Sequence, residues 1–247
     1  GSMNILIMAA GAVGGYFGSV LSYSNDVTFV ARGEHLRKIQ EYGLSVKSVT
    51  SGNYVCWSKA YKEPPPEYKA DLAIFCVKEY QNEQACEIIA NSISDNTTIL
   101  TLQNGLGSGE FLGQKFGSEK VVLGAAYVEA SKGGPGEIFE HGGGCSITFG
   151  KQSDIQEGRV RELANIFESS NVDFTVSENI HDSLWQKLVF ISALSGMTCI
   201  TKSPFREVMN NPSTRNITIS LVRETASVAS EIVSNFSKDT VQNTIDY

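Results

Sequence analysis

An α/β domain followed by an all-helical one is the fold class this sequence predicts, and three observations carry it. Short apolar runs without polar alternation recur at residues 5–8, 27–30, 72–77 and 98–102, the pattern of parallel strands covered on both faces. The first run empties into a burst of glycines, Gly11, Gly14, Gly15 and Gly18, which suits a strand, a tight turn and a helix in succession. After about residue 177 the strand signals stop and helical patterns take over. The predicted boundaries are 3–177 for the α/β domain and 178–247 for the helical one.

The elements follow in order. Gly1 and Ser2 precede Met3 and are left out as a tag remnant. Residues 4–21 are apolar and rich in small side chains, as in a signal peptide. No Lys or Arg precedes them, so the basic region such a peptide needs is missing. Residues 79–93 predict a helix, and 121–128 another strand. Residues 137–140 and 145–149 flank His141-Gly142-Gly143-Gly144, which predicts a hairpin turn. Residues 154–168 form an amphipathic helix with Val160, Leu163, Ile166 and Phe167 on one side, and 172–176 one more strand. Helices are then expected at 179–195, 204–209 and 212–236. Ser203-Pro204 and Asn211-Pro212 each place a capping residue before a proline at the first helical position.

Composition narrows the function. The 247 residues carry 20 Lys and Arg against 27 Asp and Glu, a net charge of −7, and no polybasic run, so a nucleic-acid partner is not expected. Five scattered cysteines without a C-x-x-C pair indicate neither zinc nor a disulfide framework; they suit reduced thiols in a cytoplasmic protein. Three isolated histidines give no metal site. No apolar run reaches the roughly 18 residues of a membrane helix.

The turn Ala9-Ala10-Gly11-Ala12-Val13-Gly14 has the form A-x-G-x-x-G in the strand-to-helix context of a dinucleotide fingerprint. This makes the first domain a Rossmann-type dinucleotide-binding domain. Gly11 lets the backbone approach a pyrophosphate, Gly14 lets helix and strand pack, and the helix N-terminus offers N–H groups to the anion. The second strand ends at Arg32, where an acid normally meets the ribose hydroxyls; an arginine suits a 2′-phosphate. The alternative is a solvated arginine with Glu34 on the ribose. Two further strands run into Lys78 and into Gln103-Asn104-Gly105, at the carboxyl ends where ligands of open α/β sheets bind. Both are also readable as an exposed charge and a simple turn. Lys187 is the only charged residue across 183–201, in a helix apolar nearly all round. A lone charge there is costly unless paired or used. An ammonium facing a cleft can protonate a developing alkoxide. His141 in H-G-G-G evokes an esterase oxyanion loop, but no G-x-S-x-G turn exists in the chain. His35 and His181 have no partner identifiable from sequence.

Ala10-Gly11-Ala12-Val13-Gly14-Gly15, Ala31-Arg32-Gly33, Val77-Lys78, Gln103-Asn104-Gly105-Leu106-Gly107 and Trp185-Gln186-Lys187-Leu188 together resemble the 2-dehydropantoate 2-reductase (ketopantoate reductase) family across essentially the whole chain. The resemblance implies reduction of ketopantoate to pantoate with NADP(H), on the way to pantothenate, with substrate between a Rossmann domain and a helical one. Ala9, Ala10, Gly11, Ala12, Val13, Gly14 and Arg32 would hold the NADPH phosphates, and Lys78 and Ala130 would contact the cofactor. Asn104 would lie between nicotinamide and substrate, and Lys187 would give the proton. Two asparagines that often grip substrate in the family are replaced by Ile191 and Ser195, and Phe205 replaces a commonly polar contact. The partner expected is a small 2-oxo acid, with a homodimer left open. A D-2-hydroxy acid dehydrogenase and a non-catalytic NADP(H)-binding protein are the competing readings. In the family further helices follow, bearing a substrate-binding serine and an acidic residue. The expectation is therefore a truncated form that binds NADPH but reduces ketopantoate poorly, with apolar helix faces partly uncovered.

Overall fold

The computed structural model describes residues 2–78, 80–103, 107–201 and 205–232, without the side chains of 194–201, 205–206 and 225–232. The chain divides into two compact units, Gly1–Glu178 and Asn179–Tyr247.

In the first unit β1 (Asn4–Met8) leads through the glycine turn into α1 (Ala12–Leu21). Then come β2 (Asp26–Val30), α2 (Gly33–Tyr42), β3 (Leu44–Ser48), β4 (Gly52–Cys56) and β5 (Lys59–Tyr61). β6 (Leu72–Phe75), α3 (Asn82–Ile89), β7 (Thr98–Thr101), α4 (Ser108–Phe116) and β8 (Val121–Tyr127) follow. The unit closes with β9 (Ala130–Lys132), β10 (Glu137–Glu140), β11 (Ser146–Gly150), α5 (Glu157–Ser169) and β12 (Asp173–Val176).

Among the described residues, eight strands form one sheet in the order β12-β11-β8-β7-β6-β1-β2-β5. From β8 to β5 every pairing is parallel; β11 runs antiparallel to β8. The apolar runs without alternation are the central strands, with β6 and β7 buried at every position. Strand order reverses between β6 and β1, so the connections leave on opposite sides, the arrangement in which open α/β sheets bind ligands beyond the carboxyl ends. The core gathers Ile5, Ile7, Phe29, Ile74 and Leu100 from these strands with Phe17 and Leu21 of α1.

A second sheet, in the order β4-β3-β10-β9, was not legible in the sequence. It packs on α1, which lies between the two sheets. Glycine makes that possible. A Cβ on Gly14 would stand 2.1 Å from the Ala9 carbonyl oxygen, and one on Gly15 would stand 2.9 Å from Ile138 Cγ1 of the second sheet.

The expected hairpin at His141 is corrected by this sheet. β10 pairs with β3 and β9, whereas β11 pairs with β8 and β12, so Gly142, Gly143 and Gly144 carry the chain from one sheet to the other. All three have positive φ, at 85°, 89° and 102°, a run that L side chains disfavour. Glu140, only 2% exposed, fixes the crossover. It accepts bonds from Ser48 Oγ at 2.7 Å, from the Thr50 amide at 2.9 Å and from the Gly142 amide.

In the second unit α6 (Ile180–Thr201), α7 (Phe205–Asn210) and α8 (Pro212–Ile232) pack on one another. Val189 and Ala193 of α6 meet Val222 of α8, with Trp185 and Leu221 beside them. Asn211 Oδ1 accepts the Ser213 amide at 3.0 Å, capping α8 before Pro212 as the Asn-Pro pair predicts.

Candidate active site

Parallel strands put their carboxyl ends on one edge of the sheet, and in the first unit four chain segments leave that edge side by side. Backbone bonds continue the pairing past the strands: the Ala10 amide donates to Val30 O at 3.0 Å, Cys76 to Met8 O at 2.6 Å and Leu102 to Phe75 O at 2.9 Å. The glycine turn, Arg32, Lys78 and Gln103 are thereby brought to one edge.

The turn leaves the start of α1 open. Gly11 caps α1 with extended backbone, at φ −77° and ψ −158°, and no side chain closes the helix end. A Cβ built on Gly11 would meet nothing within 4 Å, which is open space where a ligand's backbone contact would lie. A helix start left open in this way directs its N–H groups and positive dipole end outward. Beneath the turn Cys76 Sγ approaches Ala9 O at 3.8 Å. Desolvation pushes this thiol up to about 12, so it remains neutral.

Three residues brace this edge, and two of them, His35 and Tyr80, had not stood out in the sequence. His35 on α2 is buried, with Nε2 2.6 Å from Ala10 O and Nδ1 2.8 Å from the amide of Gly136. That amide can only donate, so Nδ1 accepts and the proton lies on Nε2, pointing at Ala10 O. His35 thus ties the turn to the loop before β10 in a single tautomer. Gln103 Nε2 donates to Asn82 Oδ1 at 2.9 Å and to Val77 O at 3.4 Å, bracing both ends of the segment after β6. Tyr80 within that segment takes the Arg32 guanidinium over its ring, with Cζ 4.1 Å from the centroid. α3 starts at Asn82, later than the sequence pattern suggests, with Gln81 in extended conformation before it. Only Gln103 had a signal in the sequence, as a neighbour of Asn104. His35 and Tyr80 act through contacts across 101 and 48 positions of chain (136 − 35 and 80 − 32).

The remaining sequence candidates fall as follows. Arg32 is exposed and precedes α2, while Glu34 is engaged by Arg37 at 2.8 Å. That bond holds the Glu34 carboxyl below its ordinary range. Lys78 is exposed after β6. Ala130 opens β9, a strand packed against α1. Asn104 lies outside the described residues, as does the side chain of Ser195. In the second unit Lys187 and Ile191 are half-buried one helical turn apart on α6, hence on one face. His141 Nε2 meets Ser131 Oγ at 2.9 Å on the surface. The described cysteines, Cys56, Cys76, Cys86 and Cys145, are free thiols. Among the described residues there is no cluster able to hold a metal, and no helix is long and apolar enough to cross a membrane.

The family pattern described as ketopantoate reductase PanE/ApbA matches residues 5–154, and its C-terminal counterpart matches 179–247. The chain belongs to the ketopantoate reductase family. Among relatives, a 2-dehydropantoate 2-reductase of Pyrococcus abyssi is 29% identical over 92% of this chain and 74% of its own length. An uncharacterized oxidoreductase of Bacillus subtilis, YkpB, is 28% identical over 92% of this chain and 74% of its own. A 2-dehydropantoate 2-reductase from Geobacter metallireducens superposes with a TM-score of 0.84 at 29% identity, covering 99% of this chain and 81% of that one. A D-mandelate dehydrogenase solved with NADH and anilino(oxo)acetate superposes with a TM-score of 0.85 at 25% identity, over 99% and 78%. The ketopantoate reductase family is one of oxidoreductases that bind a nicotinamide dinucleotide, and the open turn beyond β1 is the place in this fold that fits such a group.

Proposed function

We propose that this chain reduces a 2-oxo acid to the 2-hydroxy acid with NADPH, ketopantoate being the first candidate substrate. The observation that carries the reading is Arg32, an arginine standing where β2 leaves the sheet beside an uncapped glycine turn. A guanidinium there forks a 2′-phosphate that NADH lacks. The backbone of Ala9, Ala10, Gly11, Ala12, Val13 and Gly14 would cradle the pyrophosphate, with Lys78 and Ala130 along the cofactor. A bound nicotinamide supplies a hydride to the carbonyl carbon.

Lys187 then gives a proton from its ammonium to the carbonyl oxygen, so the 2-oxo group becomes an alcohol and the lysine is reprotonated by solvent. Asn104 would orient the carbonyl and Ser195 would contact the substrate.

Ile191 favours a second reading. On the face of α6 that carries Lys187, it offers an aliphatic chain where a polar grip is usual in the family. It suits a 2-oxo acid with a bulkier apolar side chain, and a D-mandelate dehydrogenase is among the structural neighbours. NADPH oxidation measured against a panel of 2-oxo acids, ketopantoate and aromatic ones included, separates the two. Turnover with ketopantoate well above the others supports the first reading, and a preference for aromatic acids supports the second. Tight NADPH binding with no turnover on any of them overturns both and leaves a binding protein.

A further inference from the structure

The carboxyl edge of the sheet holds a contact that the proposed reading does not use. Arg32 follows β2 and Tyr80 follows β6, and β2 and β6 are the two neighbours of β1. The pair therefore reaches across the end of β1, where the glycine turn begins. With Cζ 4.1 Å from the ring centroid, the contact lies well inside the roughly 6 Å limit for attraction between a guanidinium and an aromatic face. That attraction comes from the ring's quadrupole and consumes none of the N–H donors an arginine needs to fork a phosphate. Tyr80 is itself held in place. Gln103 bonds Val77 O and Asn82 Oδ1, which fixes the chain on both sides of the tyrosine.

An exposed arginine has four side-chain torsions to order before it can make a bidentate contact, and ordering costs binding energy. A ring that already holds the guanidinium removes part of that cost, and only for a ligand that presents a phosphate to Arg32. We propose that Tyr80 is a specificity-determining positioning residue: its ring preorganises Arg32 for the 2′-phosphate and so sets the preference for NADPH over NADH. The inference rests on the reading of Arg32 given above.

The test is a fluorescence titration of NADPH and of NADH against the parent chain, Tyr80→Leu, Tyr80→Phe and Arg32→Ala, with thermal melts of each. Tyr80→Leu should weaken NADPH by about 5- to 30-fold, the range of a partly desolvated cation–ring contact, and leave NADH within about twofold. Tyr80→Phe keeps the ring and should restore NADPH to within about threefold of the parent. Equal weakening of both cofactors by Tyr80→Leu would mean that the ring serves the adenine or the fold, and would overturn the proposal. So would unchanged NADPH affinity in Tyr80→Leu while Arg32→Ala still loses it, a result that leaves the reading of Arg32 standing. If Arg32→Ala treats NADPH and NADH alike, the reading of Arg32 fails and the proposal fails with it.

Discussion

Replacing Gly14 by alanine puts a methyl group 2.1 Å from the Ala9 carbonyl oxygen, 2.8 Å from Cys76 Sγ and 2.9 Å from Ile7 Cγ2. The nearest of these is a backbone atom that cannot rotate away, and Ile7 is fully buried in β1. Alanine returns up to about 1 kcal/mol of helix propensity. Overpacking costs roughly 1–3 kcal/mol, and a rigid clash on three sides belongs at the top of that range. The net loss is about 2 kcal/mol, or a melting temperature lower by roughly 4–8 °C for a chain of this size. Gly11→Ala is the paired control, because its methyl would meet nothing within 4 Å and its backbone lies at φ −77°. It should stay within about 1 kcal/mol of the parent yet lose NADPH affinity by about tenfold or more, a difference of roughly 1.4 kcal/mol. Thermal melts and NADPH titrations of both variants decide the matter. A Gly14→Ala protein that melts with the parent refutes the packing argument, and a Gly11→Ala protein that binds NADPH normally refutes the assignment of the open space to the cofactor.

Three further outcomes are expected. Arg32→Asp removes a guanidinium and adds a like charge near the phosphate, so NADPH affinity should fall at least about tenfold more than NADH affinity; steady-state KM for the two cofactors reads the split, and equal losses sink the assignment. Lys187→Ala should bind NADPH as the parent does and lose about 10²–10⁴-fold in kcat; turnover within threefold of the parent would remove Lys187 from proton transfer. Glu140→Gln should cost about 1–3 kcal/mol at neutral pH, since one of the amides or hydroxyls aimed at the carboxylate loses its acceptor. Burial raises the Glu140 carboxyl, but bonds from Ser48, Thr50 and Gly142 outweigh it and hold the group below its ordinary value. The stabilisation is therefore complete above about pH 4.3 and is lost as pH falls through the lower folded value. Urea melts should show the gap between parent and Glu140→Gln closing in acid, and a gap that is independent of pH would contradict the assignment.

The α/β order, the glycine turn and the change to helices were legible in the sequence because each is a local matter. Short apolar runs without alternation, as at 72–75, bounded by turn residues, are the pattern of strands covered on both faces. A helix such as α6, with one charge in nineteen residues (183–201), reads without knowledge of its neighbours. The packing role of Gly14 was also visible, since its place in the motif sets it against the strand, where a Cβ would meet Ala9 O and Ile7. The second sheet was not visible. β3 pairs with β10 in parallel across about ninety residues, and neither strand states its partner. The same blindness made His141-Gly142-Gly143-Gly144 look like a hairpin, when tertiary pairing assigns its two flanking strands to different sheets. His35 and Tyr80 show the reason most plainly. Their side chains are ordinary in type and unremarkable in spacing, and they gain a role only when the parallel sheet brings the ends of β1, β2 and β6 together. Local sequence decided which segments are strands and where a helix start stays open; long-range pairing decided which side chains stand around it.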